Sequence, residues 1–265
     1  MMKLLNGSEL AGFIKERHAH QVRSLRASKI YPKLAIVQAK DDPVINTYVR
    51  LKKKYGADVG IDVEIHKPKQ ADIPELLNML NNDQKVHGII IQLPLPDPTQ
   101  TDEIVSMVSS TKDVDALGKN AGFEPATPMA ILWLLAGYNV DIKGKSVLIV
   151  GHGKLVGTPL SRILIKSGLD VSVADEHTKN LDNKVKNADV IITATGSPGV
   201  IKANMLKEAA VVVDAGVASE DGKTVGDLAN DVYKREDLVI TPKKGGVGPL
   251  TVCALFENVI RAASK

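Results

Sequence analysis

Apolar residues recur along this 265-residue chain in two rhythms. Short uninterrupted runs at 34–37, 88–92, 146–150, 190–194, 211–214 and 238–240 read as strands, with 88–92 a candidate for a buried one. The run at 63–65 alternates with polar neighbours and reads as a half-exposed strand, and 170–174 reads as a strand ending at Asp175-Glu176. Between the runs, apolar positions fall three and four apart, the spacing of amphipathic helices. Helices are predicted from about Ser8, a good N-cap, to near Arg26, and from Val44 to Val59 with Gly60 as the stop. Another covers Asp72 to Leu80 with Pro74 in its first turn. A fourth follows Pro159, where Leu160, Ile163 and Leu164 keep helical spacing and Gly168 ends it. The last runs from Leu250 to Ala263, with Val252, Leu255, Phe256, Val259 and Ile260 apolar. Strands separated by helices predict right-handed βαβ units, a mostly parallel sheet and the α/β class. The stretch 113–124, mixed and rich in Gly, Asp and Asn, is the best boundary between two domains, and a second cycle begins near Thr127-Pro128.

Composition narrows the picture little but usefully. Hydrophobic residues make up 44% of the chain, enough for buried cores, and aromatics only 3%. A net charge of +3, with no basic run interleaved with aromatics, argues against nucleic acid as a partner. Lys52-Lys53-Lys54 is the densest cationic cluster and reads as a solvated helix face. The single cysteine, Cys253, excludes an intramolecular disulfide, fits a reducing cytosol and reads as buried filler. No run approaches the roughly 18 apolar residues of a membrane span, and the N-terminus lacks a continuous apolar stretch. The expectation is a soluble cytoplasmic protein without a membrane partner. The six histidines are scattered without partners at ligand spacing, so no metal site is expected.

The strand at 146–150 runs directly into Gly151-His152-Gly153-Lys154-Leu155-Val156-Gly157 and then a helix. This arrangement holds a dinucleotide by its pyrophosphate. The first glycine permits a tight turn, the second lets backbone approach the phosphates, and the helix start offers free N–H groups and a positive dipole end. The spacing is G-x-G-x-x-x-G rather than the commoner G-x-G-x-x-G, and an ordinary glycine-rich strand–helix turn is the plain alternative. Asp175 closes the following strand about 20 residues past the glycines, where a ribose 2′-hydroxyl is bound. On position alone it is equally a solvated turn residue. Later strands also end in polar or glycine-rich turns, at Gly196-Ser-Pro-Gly199 and Asp214-Ala-Gly216, and ligands of open α/β sheets bind at such carboxyl ends.

Three pieces of the first half stand out. Tyr48 and Lys52 lie at i and i+4, on one helix face. Gln92-Leu-Pro-Leu-Pro96 puts an amide at a strand's carboxyl end before a rigid turn, and Asp113-Val-Asp115 sits in the domain boundary. Each alone has a bland reading, as a surface pair, a strand stop and a loop. Tyr-x-x-x-Lys also occurs in short-chain dehydrogenases, but there it follows the dinucleotide loop, whereas here it precedes the loop by about a hundred residues.

Taken in order, these strings resemble one family. Tyr48-x-x-x-Lys52, Val86-His-Gly-Ile-Ile-Ile-Gln-Leu-Pro-Leu-Pro96, Lys112-Asp-Val-Asp115 and Pro125-Ala-Thr-Pro128 are similar to the bifunctional methylenetetrahydrofolate dehydrogenase/methenyltetrahydrofolate cyclohydrolases. The likeness continues through 151–159, Thr178-Lys-Asn-Leu181, Val225-Gly-Asp227 and Gly245-Gly-Val-Gly-Pro-Leu-Thr251, across nearly the whole chain. It implies a catalytic folate-binding α/β domain at 1–120, with the helix at 250–265 packing back on it, and a Rossmann-like dinucleotide-binding domain at 121–249. It also implies a homodimer paired through the second domain, and a role in one-carbon metabolism feeding purine biosynthesis. Two steps then share one cleft. Hydride passes from 5,10-methylenetetrahydrofolate to a nicotinamide, and water opens the methenyl cation to 10-formyltetrahydrofolate. Lys52 matches the catalytic lysine, Gln92 the residue that orients it, Tyr48 the residue packed on the folate rings, and Asp115 the carboxylate on the pterin's amino-pyrimidine edge. A free lysine is protonated at neutral pH, so a cationic substrate and burial must lower its pKa for base catalysis. The cofactor set is Gly151, His152, Gly153, Val156, Gly157, Asp175, Gly196 and Val217. Gly245, Gly246, Pro249 and Thr251 belong to a loop against the nicotinamide and folate.

The chain departs from the family in several places. Gly151-His152-Gly153 replaces the usual Gly-Arg-Ser, whose arginine binds the 2′-phosphate of NADP, and Asp175-Glu176 replaces a His followed by a polar or basic residue. Two carboxylates repel a 2′-phosphate, whereas Asp175 accepts hydrogen bonds from a free diol, so of NAD and NADP the sequence favours NAD. His177, Lys179 and a protonated His152 work the other way. Lys243-Lys244 replaces Val-Pro, Ile45 replaces a serine, and Ala116 replaces the glycine after Asp-Val-Asp. Two alternatives follow: a cyclohydrolase whose dehydrogenase activity has decayed, and a non-catalytic folate or dinucleotide sensor. Retention of Lys52 and Gln92 argues against the sensor.

Overall fold

A computed structural model describes residues 2–220 and 223–265. In chain order its main elements are β1 (Lys3–Leu4), α1 (Gly7–Ala27), β2 (Lys33–Val37), α2 (Pro43–Val59), β3 (Asp62–His66), α3 (Ile73–Asn82), β4 (Gly88–Ile91) and α4 (Thr101–Ser106). They continue with α5 (Ala126–Gly137), β5 (Ser146–Val150), α6 (Gly157–Lys166), β6 (Asp170–Ala174), α7 (Leu181–Asn187) and β7 (Val190–Thr193). Last come β8 (Val211–Asp214), β9 (Ala218–Glu220), β10 (Lys223–Val225), β11 (Val239–Ile240) and α8 (Val247–Ala263).

The strands form two parallel sheets and one antiparallel hairpin, β9–β10. One sheet is three-stranded, in the order β3-β2-β4, and the other six-stranded, β1-β11-β8-β7-β5-β6. Each is the centre of its own compact unit. The three-stranded unit comprises Gly12–Ala126 and Val252–Lys265, and the six-stranded unit Met1–Ala11 and Thr127–Thr251. The α/β class is as the apolar runs predict.

In the three-stranded unit β2 is central, and its 34–37 run is wholly buried. One face packs Ala35, Val37, Ile89 and Ile91 against Ile73, Leu77 and Leu80 of α3 and Ile104 of α4. Each such valine, leucine or isoleucine side chain stabilises the unit by about 1.5–3 kcal/mol. β3 is an edge strand, which explains its polar alternation. The helix α2 starts on Asp42, whose carboxylate accepts from Val44 N at 2.9 Å and Ile45 N at 3.3 Å, and ends on left-handed Gly60. Such a cap contributes about 1 kcal/mol. Ile45, the residue in place of a serine, is buried. From α8, the Phe256 ring lies 4.8 Å from that of Tyr55, and Asn258 Nδ2 donates to Val114 O and Glu124 O, both at 2.9 Å. Those two bonds tie down 113–124, which therefore lies inside this unit.

In the six-stranded unit, Leu148, Val150, Ile191, Val212 and Ile240 build one core with Val185, Ile201 and Val232. Here the structure differs from the sequence reading. The first residues were expected in the first domain, yet β1 adds to this sheet, with Lys3 N donating to Leu238 O at 2.9 Å and Leu5 N to Ile240 O at 2.8 Å. Two residues of strand are too few to display a period. Helix α1 is capped by Asn6 rather than Ser8, its Oδ1 accepting from Ser8 N at 3.1 Å and Glu9 N at 3.3 Å. α8 begins at Val247, one turn before the apolar pattern becomes readable. The short helix α4 and the β9–β10 hairpin had no distinct signal.

Candidate active site

The predicted residues form three sets, one in the three-stranded unit and two in the six-stranded unit. In the three-stranded unit, α2 carries Tyr48 and Lys52 one turn apart on the same face. Lys53 and Lys54 are exposed, but Lys52 keeps only part of its surface in solvent and sits deep among protein atoms. Its Nζ donates to Gln92 Oε1 at 2.8 Å. Gln92 follows β4 and is fixed at both ends. Its backbone N donates to Val37 O at 2.8 Å, and its Nε2 donates to Leu93 O at 3.1 Å. The second bond turns the amide so that its oxygen meets the lysine.

Asp115 completes the set electrostatically. Burial lowers the Lys52 amine below its ordinary pKa, and the Asp115 carboxylate opposes that shift. Burial likewise raises Asp115, with Lys52 opposing. Each charge therefore makes the other tolerable in a site that disfavours both. Burial also raises the Tyr48 phenol, so it stays neutral and its ring presents a half-buried face.

The loop bearing Asp115 is held by Asp113, a residue noted in sequence only as part of the boundary. Its buried carboxylate accepts from Gly118 N at 2.8 Å and Leu117 N at 3.4 Å. Burial pushes its pKa up, against those N–H bonds. The carboxylate followed five residues later by glycine was the available signal. Between them, Ala116 has φ +57°, a left-handed backbone in which the family's glycine is strain-free. A second missed group is Gln38, buried after β2, whose Nε2 donates to Asn46 Oδ1 at 2.7 Å and ties down the start of α2.

In the six-stranded unit, the glycines of the 151–157 turn have different reasons. Gly151 has φ +104°, and a Cβ there would overlap the Ala194 carbonyl. A Cβ on Gly157, the first residue of α6, would overlap Gly151's carbonyl oxygen, so the helix can start against the turn only without one. Gly153 meets no protein atom within 4 Å of an added Cβ, so packing does not require glycine there. His152 is exposed, its carbonyl accepting from Thr158 Oγ1 at 2.9 Å, and Val156 is half-buried at the start of α6. The sheet reverses its build direction between β5 and β7, with β6 on the other side of β5. That switch point is where open α/β sheets bind ligands, and the 151–157 and 195–199 turns both stand at it.

β5–β6 register pairs Val150 with Ala174, which sets Asp175 beside Gly151 at the carboxyl edge. Its carboxylate is engaged within its own turn. Its Oδ1 accepts from His177 N at 3.1 Å and Thr178 Oγ1 at 2.9 Å, closing a turn, and these bonds hold its pKa below the usual carboxylate range. Glu176 Oε1 lies 3.6 Å from His177 Nε2. Gly196, at φ +67°, and exposed Val217 flank one another across the loops after β7 and β8.

The last predicted set is also local to this unit. Gly245 O accepts from Ser8 N at 2.9 Å, and buried Gly246 leaves no room for a Cβ on Gly7. Pro249 lies in the first turn of α8, and Thr251 Oγ1 donates to Thr127 Oγ1 and Val247 O, each at 3.4 Å. Lys243 Nζ donates to Asn230 Oδ1 at 2.9 Å and lies 5.0 Å from the Tyr233 ring. Cys253 is buried with Tyr55 OH donating to Sγ at 3.4 Å. Among the described residues, no group of three His, Cys, Asp or Glu is arranged to hold a metal ion, and no helix is long and apolar enough to cross a membrane.

Residues 5–115 match the family model for the tetrahydrofolate dehydrogenase/cyclohydrolase catalytic domain, and 125–265 match that for its NAD(P)-binding domain. The bifunctional protein FolD of Campylobacter jejuni strain RM1221 is 37% identical over 279 aligned positions, covering 100% of this chain and 99% of that one. The crystal structure of a bifunctional FolD methylenetetrahydrofolate dehydrogenase/cyclohydrolase from Campylobacter jejuni superposes with a TM-score of 0.94 at 36% identity, over 100% of this chain and 99% of that chain. The Trypanosoma brucei enzyme, solved with NADP and an inhibitor, superposes with a TM-score of 0.92 at 28% identity, over 98% and 97%. Matched over most of its length by the two domain models and over all of it by a relative at 37% identity, this chain belongs to the tetrahydrofolate dehydrogenase/cyclohydrolase family.

Proposed function

We propose that the protein oxidises 5,10-methylenetetrahydrofolate to the methenyl cation with a nicotinamide dinucleotide, and hydrolyses that cation to 10-formyltetrahydrofolate. The observation that carries this reading is the 2.8 Å Lys52–Gln92 hydrogen bond, made by a lysine whose pKa burial lowers. A binding protein has no use for an amine so prepared.

Lys52 is the proton carrier. As a neutral amine it takes the proton from water while the oxygen bonds to the methenyl carbon. Formation of the 10-formyl product then breaks the carbon's bond to the other nitrogen, which takes the proton of the resulting ammonium. The carbinol oxygen becomes the formyl C=O and gives up its own proton to solvent, the one net proton released as the cation's charge is lost. Gln92 keeps Nζ aimed through both transfers, so that one group serves as base and then acid. A cationic substrate beside Lys52 favours its neutral form further. Asp115 accepts N–H donors of the pterin edge, where a charged pair of hydrogen bonds is strong. Tyr48 offers its ring to the folate. We assign Gly245, Gly246, Pro249 and Thr251 to the loop against folate and nicotinamide.

The 151–157 turn fits a dinucleotide. Gly151 and Gly157 bring helix and strand together, and Gly153 leaves the turn open. Gly151, His152, Gly153, Val156, Gly157, Gly196 and Val217 would hold the pyrophosphate and nicotinamide ends, and Asp175 the ribose. When bound, the dinucleotide supplies the hydride acceptor. We take NAD as the preferred form. Asp175 is anchored as an anion by His177 N and Thr178 Oγ1, beside Glu176, and so favours a ribose diol over a 2′-phosphate. A homodimer acting in the cytoplasm belongs to the same reading, and light scattering on the purified protein tests the dimer.

The deciding experiment is oxidation of methylenetetrahydrofolate with NAD and NADP in parallel, followed by hydrolysis of methenyltetrahydrofolate. Turnover in both assays is expected. Hydrolysis alone would leave a cyclohydrolase, and silence in both would overturn the reading.

A further inference from the structure

Val225-Gly226-Asp227 has no part in the chemistry above, yet it brings a buried carboxylate, Asp227, against the half-buried one of Asp214 beneath the switch point. Asp227 has no exposed surface. Its Oδ2 accepts from Thr195 N at 2.7 Å and its Oδ1 from Ser197 N at 3.1 Å, both in the turn after β7. Asp227 is itself held from below. Asp214, the last residue of β8, accepts at Oδ1 from Asp227 N at 3.1 Å, Gly216 N at 3.0 Å and Thr193 Oγ1 at 3.2 Å. Its Oδ2 accepts from Leu228 N at 3.2 Å. The two tiers interlock through glycines. A Cβ on Gly216 would overlap the Asp227 carboxylate, and one on Gly226 would overlap that of Asp214.

A buried and a half-buried carboxylate this near one another are costly, and desolvation raises Asp214 with Asp227 adding to the rise. A turn of ordinary loop residues needs no such arrangement to exist. What the carboxylates gain is a fixed position for the Thr195–Ser197 backbone. That backbone follows Ala194, whose carbonyl is the group a Cβ on Gly151 would strike. The turn after β7 is thus set directly against the first glycine of the turn after β5, at the place where the sheet reverses.

We propose that Asp227, supported by Asp214, is a positioning residue for the dinucleotide. It sets the 195–199 turn at the switch point and thereby fixes dinucleotide affinity, without touching the folate chemistry. This rests on the assignment of that crevice to a nicotinamide dinucleotide. The cyclohydrolase reaction consumes no dinucleotide, so it serves as an internal control.

The test compares wild type, Asp227→Asn and Gly216→Ala. Asp227→Asn keeps the shape but presents an amide N–H to one of two N–H donors. Gly216→Ala displaces the same carboxylate without altering its charge. KM for NAD and for NADP, kcat, the cyclohydrolase rate and NADH binding by fluorescence are measured for each. Both variants are expected to raise the dinucleotide KM and weaken NADH binding at least tenfold, with the cyclohydrolase rate within twofold of wild type. An unchanged dinucleotide KM overturns the inference. So does a parallel loss of both activities, or a failure to fold, since either makes the carboxylate a general structural support. Wild-type protein that turns over with neither dinucleotide overturns the site assignment itself, whatever the variants do.

Discussion

The two sites of this protein are made of different material. The Lys52 site is assembled from side chains on α2, after β4 and in the 113–118 loop, with Gln92 lying 40 positions from Lys52 in sequence, and these meet only after folding. The dinucleotide turn is made of backbone. Its character comes from side chains it lacks, at Gly151, Gly153 and Gly157, within seven consecutive residues. The first kind is broken by removing a functional group, the second by adding a methyl. The first depends on pH, because its groups titrate, while the second depends on sterics and dipoles that do not. Substitutions can therefore separate the two halves of the activity.

The sharpest separation should come from Lys52→Met. Loss of the proton carrier is expected to lower the cyclohydrolase rate by about 10²–10⁴-fold, with NADH binding unchanged. A rate within tenfold of wild type would remove Lys52 from its role. The opposite separation should come from Gly157→Ala. The added Cβ must push α6 off the turn, so dinucleotide affinity is expected to drop more than tenfold and stability by about 1–3 kcal/mol. The cyclohydrolase rate should persist at a temperature where the variant is folded. Equal loss of both activities would show that the halves are not separable in this way.

The pH profile sharpens the same contrast. Only the neutral amine accepts a proton, so the cyclohydrolase rate should climb with pH through the lowered Lys52 pKa and level off above it. Asp115 raises that pKa, so Asp115→Asn should move the rising limb toward lower pH while raising the folate KM. A limb that stays in place would mean that Asp115 does not act on Lys52. Asp175→Asn should shift the NAD-to-NADP ratio of kcat/KM a few-fold toward NADP, without changing hydrolysis. The smallest effect belongs to Ala116→Gly. Relief of about 1–2 kcal/mol of left-handed strain is offset in part by about 0.4–1 kcal/mol of added chain entropy. A net gain of about 0.5 kcal/mol should appear as a slightly higher Tm, and a loss would refute the strain argument.

The same contrast explains what could be read from sequence. The dinucleotide turn lies in one contiguous stretch, so its strand, glycines and helix were legible from local pattern alone. Lys52, Gln92 and Asp115 had bland local readings and gained meaning only from the order of several strings resembling one family. The buried strand β5 appeared at its observed limits, because its neighbours, Lys145 and Gly151, are polar or glycine. β1 was illegible, since two residues carry no period and their partner, β11, comes more than 230 positions later. Asp113 and Asp227 were visible as strings but not as supports, because their N–H partners face them only across folded loops.

Neither unit is a continuous piece of chain. Residues 12–126 supply most of the three-stranded unit, but Phe256, Asn258 and Val259 reach it only with the final helix. The β1 strand emerges first and must wait for β11 before it has a sheet to join. On the ribosome, therefore, the usual sequence in which an N-terminal domain completes itself while the rest is being made is closed to this protein. Neither core is complete until residues 239–259 have been made. A gene cut near residue 120 would yield two halves each lacking a strand or helix that the other half encodes.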